Sequence, residues 1–413
     1  MIKEILKEEI IERQFYISDI IKYLNSPIIK VLIGQRRVGK STILKSIIKY
    51  LYTSKIIPLE NFFYINKELP IYDHIKNYED LKDEFQNFLK TTNPGKIFIG
   101  IDEVQDIVGW EKFINGYLAT YAEKAEIFIT GSNSFLLSSE LSTYITGRYI
   151  NFYIYPLSFQ EFCEFKNDLE SKENFLEYLK YGGLPAIFKM NYSPEVIFSY
   201  LNSVYSTIVL KDIIQYNSIK NINFFKDLYK YTLSNIGNII SGKKIKDYLK
   251  SQNISLGNDT VLNFLHYGEN TFLLNKVYST NPDTKKYFEI YNKYYAGDLG
   301  LRNSLVGFDL KRDMGKLIEN YVFLELKRNS YDVKIGRLSS GKEIDFIAEK
   351  NGIVKYFQVC YLLGSEETIQ REYRSLEEIK DNWEKYVVSM DDIDFGVSKG
   401  IKHINILKLN SIL

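Results

Sequence analysis

One glycine-rich run near the N-terminus constrains the fold more than any other feature: residues 34–41 read GQRRVGKS. The apolar stretch 28–33 precedes it and predicts a buried strand, and residues 41–52 carry apolar side chains at helical spacing. In a strand–loop–helix unit of this kind, glycines let backbone N–H groups converge on phosphate oxygens at the helix N-terminus. The sequence therefore predicts a phosphate-binding loop on an α/β sheet.

The fixed positions of this loop predict how a nucleotide and its metal are held. Lys40 is expected to reach the β- and γ-phosphates, and the Ser41 hydroxyl to bind Mg²⁺. The alternative, a glycine-rich turn with an exposed lysine, is disfavoured by the flanking strand and helix. The predicted cofactors are ATP and Mg²⁺. The residues predicted to bind the nucleotide are Gly34, Gln35, Arg36, Arg37, Val38, Gly39, Lys40, Ser41 and Thr42.

A second apolar run, residues 96–101, ends in the acid pair Asp102 and Glu103. Mg²⁺ prefers oxygen ligands and keeps several waters, so Asp102 is predicted to hold the ion directly or through water. Glu103 is predicted to orient and deprotonate the attacking water. Two solvated acids at a strand end are the alternative, and the upstream phosphate-binding loop makes that alternative weaker.

Two further polar positions are predicted to complete the site. The apolar run 125–130 leads into a polar turn, where we favour Asn133 over Ser132 as the group that hydrogen-bonds the γ-phosphate or the attacking water. An ordinary Asx turn is the alternative. Arg148 is predicted to stabilise charge at the γ-phosphate, on its own chain or on a neighbour, with a surface salt bridge as the alternative.

Composition excludes several classes of protein. The chain has 413 residues, 45% of them hydrophobic, which is enough for two or three domains. A net charge of +1 gives no general reason to expect nucleic acid or membrane binding. The two cysteines, Cys163 and Cys360, form no disulfide framework. Because the N-terminus is charged and no long apolar stretch exists, we expect a cytoplasmic location.

The motifs taken together resemble those of a known family. Besides the glycine-rich loop, they are IDEVQ at 101–105, TGSNS at 130–134, TGR at 146–148 and YPLSFQEF at 155–162. The chain resembles prokaryotic AAA+-like ATPases, related to the archaeal STAND ATPases, that carry a C-terminal nuclease-like domain. The resemblance implies a parallel sheet in which a sensor strand lies between the P-loop strand and the Asp-Glu strand.

The resemblance also implies a helical lid, which we place at residues 159–218. The sequence GGLP at 182–185 matches a feature of the family and predicts a break between helices. The chain departs from many AAA+ ATPases because arginine is absent between Arg148 and Arg302, so the lid offers no second sensor arginine.

The middle segment, residues 219–305, is predicted to be winged-helix-like. Helices are expected at 224–240, 243–252 and 259–267, followed by strands at 272–278 and 287–291. The segment is rich in lysine, and both duplex DNA and a partner protein are left open as its ligand. The lysines predicted to contact phosphate are Lys243, Lys244, Lys246, Lys285 and Lys286.

The C-terminal segment, residues 306–413, resembles the PD-(D/E)xK nucleases, in which acids hold Mg²⁺ and a lysine positions the attacking water. Glu319 and Asp345 match the acidic positions, while Gln358 replaces the second metal acid and Cys360 replaces the lysine. A neutral amide is a weak Mg²⁺ ligand, and a thiol offers no fixed positive charge. The nuclease-like site is therefore predicted to be degenerate. Rescue by Lys342 and a purely structural α/β cap are the alternatives.

The predicted fold class is α/β, with a P-loop parallel sheet at 1–158, a helical lid, a winged-helix-like domain and a restriction-endonuclease-like domain. The predicted function is Mg²⁺-dependent ATP binding and hydrolysis that switches the C-terminal domains. A slow nucleotide-gated switch that binds DNA or protein, with little turnover, and an active nuclease are the alternatives. No membrane partner is expected, and the oligomeric state is left open.

Overall fold

The chain forms two compact units, Met1–Ile154 and Tyr155–Leu413, each built on its own β-sheet. No helix among the described residues is long and apolar enough to cross a bilayer. The computed structural model describes residues 1–121, 124–134, 147–190, 192–215, 219, 222–240, 245, 258–282, 284 and 287–413.

The first unit contains a sheet with five described strands. They are β1 Ile29–Ile33, β2 Phe62–Asn66, β3 Ile97–Asp102, β4 Ala125–Gly131 and β5 Tyr149–Tyr153. Every neighbouring pair is parallel, and the strand order is β2-β3-β4-β1-β5. β4 therefore lies between the P-loop strand β1 and the Asp-Glu strand β3, as the family resemblance implies.

Helices pack on this sheet, and β1 to β4 are buried along their whole length, as expected for parallel strands covered on both faces. In the helix after the glycine-rich loop, Ile43, Ile47 and Leu51 are buried at the predicted helical spacing. The helices are α1 Ile2–Lys7, α2 Gln14–Ile21, α3 Lys40–Thr53, α4 Tyr78–Leu89 and α5 Trp110–Tyr121, with short 3-10 turns at Leu59–Asn61, Pro70–Tyr72 and Val104–Asp106.

A buried ion pair joins β1 to β4 near their amino ends, away from the glycine-rich loop. Lys30 Nζ lies 2.6 Å from Glu126 Oε2, and both side chains are almost completely buried. The other oxygen of Glu126 pairs with Lys96 at 2.5 Å and accepts the Asn25 N–H at 2.7 Å. Burial lowers the pKa of Lys30, and its contact with Glu126 opposes that shift. Glu126 thus compensates the charge of a fully buried lysine.

The second unit begins with helices in the segment predicted as a lid. Gly182 ends one of them with a φ of 72°, and a Cβ there would overlap the backbone nitrogen of Gly300. This close approach explains why the predicted break needs glycine. The helices are α6 Phe159–Lys166, α7 Lys172–Tyr181, α8 Pro194–Thr207, α9 Ile222–Ser234, α10 Asn258–Asn270, α11 Leu299–Val306, α12 Leu310–Arg328 and α13 Glu366–Glu377, with 3-10 segments Pro185–Lys189 and Ile406–Ile412 and a π-helical segment Ile208–Gln215.

The sheet of the second unit is mixed. Its strands are β6 Ile239–Ile240, β7 Leu274–Thr280, β8 Tyr287–Ala296, β9 Asp332–Arg337, β10 Glu343–Lys350, β11 Ile353–Val359, β12 Glu384–Ser389, β13 Val397–Ser398 and β14 Ile401–Asn405. Among the described residues their order is β13-β14-β12-β11-β10-β9-β7-β8-β6. The pairs β11–β12, β12–β14 and β7–β9 are parallel, and the others are antiparallel.

The segments predicted as winged-helix-like and nuclease-like share this one sheet. The junction is short: Ser279 of β7 lies beside Ile335 of β9, and the next residue of each strand continues the pairing. The helix predicted at 224–240 corresponds to α9, but α9 ends at Ser234 and residues 239–240 form the strand β6 instead. The helix predicted at 259–267 corresponds to α10, and the predicted strand pair is the hairpin β7–β8. The helix predicted at 243–252 lies outside the described residues, apart from Ile245.

Candidate active site

The glycine-rich loop joins β1 to α3 at the carboxyl edge of the first sheet. A Cβ on Gly34 would overlap the carbonyl oxygen of Ile154, so this position accepts only glycine. Gly39, just before α3, has a φ of 99°, which also favours glycine. Arg13, which the sequence did not single out, is buried and donates to the carbonyl of Val38 at 3.0 Å. Both glycines of the motif are thus required by the backbone path.

Lys40 is fixed at the centre of this loop. Its ammonium group donates to the carbonyl oxygens of Gly34 and Gln35, each at 3.0 Å. The side chain is buried, and Nζ lies 4.0 Å from Oε1 of Glu103. The loop therefore holds a positive charge where the sequence predicts the β- and γ-phosphates.

Asp102 ends β3 with its carboxylate fully buried. One carboxylate oxygen accepts the Thr130 hydroxyl, and the other accepts the Tyr64 hydroxyl at 3.1 Å. Burial raises the pKa of Asp102 above its ordinary value, and hydrogen bonds from Thr130 and Ser41 partly oppose this shift. The two predicted metal ligands, Ser41 and Asp102, therefore lie together. A carboxylate beside hydroxyl oxygens is a donor set that suits Mg²⁺.

Glu103 has a strained backbone and a highly restrained side chain. Its φ of 58° is rare for a residue other than glycine, and such strain is concentrated at functional sites. Its N–H donates to Thr130 Oγ1 at 3.1 Å, and its carboxylate accepts Ser132 Oγ at 3.1 Å and the amide of Gln105. Thr130 thus hydrogen-bonds to both members of the acid pair.

The environment of Glu103 keeps it ionised. Burial alone would raise the pKa of this carboxyl group. The charge of Lys40 and the hydrogen bond from Gln105, with smaller effects of Arg36 and Ser132, outweigh burial, so the pKa lies below its ordinary value. A buried carboxylate that stays charged is suited to accept a proton.

The polar turn after β4 contributes Ser132 to the site. The sequence favours Asn133 over Ser132 at this turn, whereas in the structure Ser132 donates to Glu103. Asn133 is buried one residue further along, and its contact with phosphate or water stays a prediction. The TGSNS motif marked the correct turn, but it did not determine which side chain faces the acid pair.

Arg148 lies at the amino ends of the strands, whereas the glycine-rich loop lies at their carboxyl ends. Its carbonyl accepts the Ile29 N–H at 2.9 Å, and the next residue, Tyr149, pairs with Ile29 at the amino end of β1. The loop begins five residues further along, at Gly34, which corresponds to about 16 Å of extended strand. This placement contradicts a role for Arg148 at the γ-phosphate of its own chain. A role at the site of a neighbouring chain stays a prediction.

In the second unit, a lysine joins the predicted acids Glu319 and Asp345. Lys293 Nζ, on β8, lies 2.9 Å from Glu319, 3.7 Å from Asp345 and 2.5 Å from Glu343. Tyr295 donates to the same oxygen of Glu319 at 2.7 Å. Burial lowers the pKa of Lys293, but the three carboxylates more than reverse that effect. The lysine therefore stays charged within the acid cluster.

Asp345 contacts the predicted strand through its backbone, because a carboxylate oxygen accepts the Val359 N–H, between Gln358 and Cys360, at 2.8 Å. The side chains of Gln358 and Cys360 have other partners, which corrects the predicted four-residue site. Gln358 Oε1 accepts from Ser375 of α13 at 3.3 Å, and Cys360 packs in the apolar cluster that includes Leu376 of α13. Asp345 is also linked to Glu319 of α12 through their shared partner Lys293, at a point where the register of β10 against β9 is irregular.

Two other residues of the predicted nuclease-like site are the thiol, Cys360, and the proposed rescuing lysine, Lys342. Burial raises the pKa of Cys360, which favours its neutral form. Lys342 pairs with Glu378, and its role as the relocated lysine of a nuclease site stays a prediction. The lysines predicted to contact phosphate lie outside the described residues: Lys243, Lys244, Lys246, Lys285 and Lys286.

Two family profiles match the chain. The one described as "AAA domain" covers residues 26–163, which include β1 to β5 and the site described above. The other, "Domain of unknown function (DUF8612)", covers residues 172–312. The AAA domain assignment agrees with the five-stranded parallel sheet and the glycine-rich loop.

Solved structures share part of this architecture at low similarity. A Walker-type ATPase of Pyrococcus abyssi is 16% identical, with a TM-score of 0.49, over 72% of this chain and 96% of that chain. Cdc6p of Pyrobaculum aerophilum is 12% identical, with a TM-score of 0.30, over 73% and 97%. At these scores neither likeness supports a conclusion about function.

Full-length relatives are more similar. An uncharacterised protein of Haemophilus influenzae is 34% identical over 389 residues, covering 93% of this chain and 94% of the relative. An uncharacterised protein of Methanocaldococcus jannaschii is 31% identical over 425 residues, covering 95% and 91%. The chain therefore belongs to the same family as these two relatives, and its N-terminal unit is a P-loop ATPase domain of the AAA type.

Proposed function

We propose that the chain binds ATP with Mg²⁺, hydrolyses it, and uses the change of nucleotide state to switch its C-terminal unit. The observation that carries this proposal is the position of Glu103. It is buried and ionised, 4.0 Å from Lys40 and one residue beyond Asp102. An acid in this position is suited to activate water beside a bound γ-phosphate.

The loop and the acid pair divide the binding of the nucleotide between them. Backbone N–H groups of residues 34–41 and the ammonium group of Lys40 bind the phosphates. Ser41 and Asp102 would hold Mg²⁺. When bound, the ion neutralises the negative charge of the β- and γ-phosphate oxygens. Because the pKa of Asp102 is raised, protons compete with the ion for this carboxyl group more than at an exposed aspartate.

Glu103 acts as the general base. As the oxygen of water forms a bond to the γ-phosphorus, Glu103 accepts the proton and the bond from the γ-phosphorus to the β-bridging oxygen breaks. Ser132 and Gln105 hold the carboxylate in place through their hydrogen bonds. Lys40 stays beside the transferred group and stabilises its charge.

The direct test of this function is phosphate release from ATP by the purified full-length chain, with and without excess EDTA. We expect Mg²⁺-dependent release that Lys40→Ala abolishes. Release that neither EDTA nor Lys40→Ala changes would contradict the proposal. Turnover near background, together with ATP-dependent binding of a partner, would instead favour the alternative of a slow nucleotide-gated switch.

Duplex DNA and a partner protein are the two partners we propose for the C-terminal unit. Lys226 and Lys230 are exposed on α9, on the surface opposite its buried aromatic residues. Exposed lysines of this kind bind phosphate without sequence preference. ATP turnover that duplex DNA stimulates at low salt and not at high salt would favour DNA, and insensitivity to DNA would favour a protein.

We infer that residues 306–413 have a nuclease-like fold without cleavage activity. The order α12-β9-β10-β11-α13-β12, with β9 to β11 antiparallel and β12 parallel to β11, supports the fold. The ion pairs of Lys293 with the acids, and the hydrogen bond of Gln358 with Ser375, argue against a working metal site. Plasmid cleavage with Mg²⁺ or Mn²⁺, lost in Asp345→Ala, would overturn this inference.

A further inference from the structure

Arg36 lies in the middle of the glycine-rich loop and has no role in the hydrolysis steps proposed above. Its side chain is buried, whereas that of the next residue, Arg37, is exposed. Arg36 NH1 lies 3.3 Å from Oε1 of Glu68. A buried guanidinium group in a phosphate-binding loop requires an anionic partner, and in this structure Glu68 is one.

The line that joins Arg36 to Glu68 passes over the acid pair, Asp102 and Glu103. The loop leaves β1, whereas Glu68 follows β2, which lies three strand positions away in the sheet. Three strand intervals span about 14 Å, so the two side chains meet above the carboxyl ends of β4 and β3. At that edge Asn66, the last residue of β2, pairs with Asp102. Arg36 therefore lies close to the acid pair rather than at the periphery of the site.

Two further observations agree with this position. Asn66 accepts the Glu68 N–H at 2.8 Å, which fixes the loop that presents Glu68. Burial raises the pKa of Glu103, and the positive charge of Arg36 is close enough to help lower it, by less than Lys40 and Gln105 do. Arg36 and Lys40 thus place two positive charges around the proposed general base.

We propose that Arg36 is the arginine that binds the γ-phosphate in this site, and that Glu68 holds it until a triphosphate arrives. This inference rests on the proposed ATPase function. The guanidinium group offers a planar pair of N–H donors that matches two phosphate oxygens. Glu68 is a weaker competitor, because its side chain is 40% exposed and hydrated. The γ-phosphate therefore displaces Glu68 from Arg36.

The proposal has a consequence for nucleotide selectivity. Since Arg36 contacts only the third phosphate, it distinguishes ATP from ADP, whereas the loop N–H groups bind both. It also supplies, from within the loop, the stabilising charge that Arg148 of the same chain is too distant to provide. The site then needs no arginine from a neighbouring molecule.

Comparing nucleotide binding of variants tests the proposal. The dissociation constants of ADP and of a non-hydrolysable ATP analogue are measured with Mg²⁺ for wild type, Arg36→Gln and Arg36→Lys. Arg374→Gln, an exposed arginine of α13, is the matched control. We expect Arg36→Gln to raise the dissociation constant of the ATP analogue about tenfold or more. The dissociation constant of ADP should stay within about twofold of the wild-type value. Arg36→Lys, which keeps the charge but loses the paired donors, is expected to lie between wild type and Arg36→Gln.

The outcomes separate this proposal from the ATPase function itself. If Arg36→Gln weakened the binding of ADP and of the analogue equally, Arg36 would have only a structural role in the loop. If it weakened neither, Arg36 would have no role in nucleotide binding. Either result would overturn the proposal. Wild-type protein that binds neither nucleotide would overturn the ATPase function first. In a second step, Glu68→Gln is expected to bind the analogue at least as tightly as wild type, and weaker binding would contradict the role given to Glu68.

Discussion

The Glu103 carboxylate lies 4.0 Å from the Lys40 ammonium nitrogen, and both side chains are buried at the carboxyl edge of one parallel sheet. Thr130 and Ser132 hydrogen-bond Glu103 from the neighbouring strand β4 and the turn after it. The protein thus places a cation suited to bind phosphate beside a carboxylate suited to accept a proton.

Replacing Glu103 by glutamine is expected to separate binding from hydrolysis. The amide keeps the size of the side chain but accepts no proton, so we expect ATP affinity to remain within about threefold while turnover falls about 10²- to 10⁴-fold. Single-turnover hydrolysis and equilibrium binding measure the two effects. Glu9→Gln, an exposed glutamate on the same unit, is the control. Hydrolysis at the wild-type rate in Glu103→Gln would refute the general-base role.

The buried ion pair of the first unit predicts an asymmetry between its two partners. Glu126→Leu leaves Lys30 charged and fully buried, so we expect a loss of about 3–5 kcal/mol in the free energy of unfolding. Lys30→Met is expected to cost less, because Glu126 keeps Lys96 at 2.5 Å. Denaturant unfolding of the two variants measures the difference. Equal losses, or a larger loss for Lys30→Met, would contradict this account.

Asp298 predicts a pH dependence of stability. Burial raises its pKa to about 6, although the backbone N–H groups of Gly183, Leu301 and Gly300 oppose the shift. Since the pKa of Asp298 in the folded state exceeds the unfolded value of about 3.9, the folded state binds the proton more tightly. Proton binding therefore stabilises the folded state at low pH, and this stabilisation is lost as the pH rises from about 4 to about 6. The full effect is on the order of 3 kcal/mol.

The measurement compares wild type with Asp298→Asn, whose side chain does not titrate. Between pH 7 and pH 5, the free energy of unfolding of wild type should increase relative to that of the variant. The difference should change little between pH 7 and pH 8, where the carboxyl group is already ionised. A relative stability of wild type that falls as the pH is lowered to 5 would show that the pKa of Asp298 is not raised.

Mg²⁺ binding is expected to depend on pH through Asp102. Because burial raises the pKa of this carboxyl group, protons compete with the ion more strongly than at an exposed aspartate. We therefore expect the affinity for MgATP to fall as the pH is lowered, and to fall less in Asp102→Asn, which starts from a weaker affinity. Titrations at several pH values test this, and parallel pH profiles for the two proteins would be evidence against Asp102 as the metal ligand.

Sequence reasoning predicted those parts of the site that short motifs encode. The glycine-rich loop and the acid pair each lie at the end of an apolar strand, so spacing alone places them at the same sheet edge. The choice between Ser132 and Asn133 depends on how the backbone turns after β4, which the sequence does not specify. The position of Arg148 depends on the register of β5 against β1, because that register determines at which edge of the sheet Arg148 lies.

Tertiary contacts explain what was missed in the second unit. Lys293 comes from a hairpin strand and reaches Glu319, 26 residues later on a helix, only after the sheet has formed. Asp345 shares Lys293 with Glu319 of α12, whereas the Gln358 side chain accepts a hydrogen bond from Ser375 of α13. The resemblance to the nuclease motif grouped Gln358 and Cys360 with the acids by their positions in the sequence, which do not determine these side-chain contacts.

The central claim is that a buried loop lysine and an acid pair bind MgATP. Isothermal titration calorimetry of nucleotide-free, folded protein with ATP and Mg²⁺, on wild type and Lys40→Ala, tests this claim most directly. The account predicts saturable binding with one ATP per wild-type chain and a loss of affinity of at least about 100-fold in Lys40→Ala. No binding to folded wild-type protein, or equal affinity for the two proteins, would contradict it.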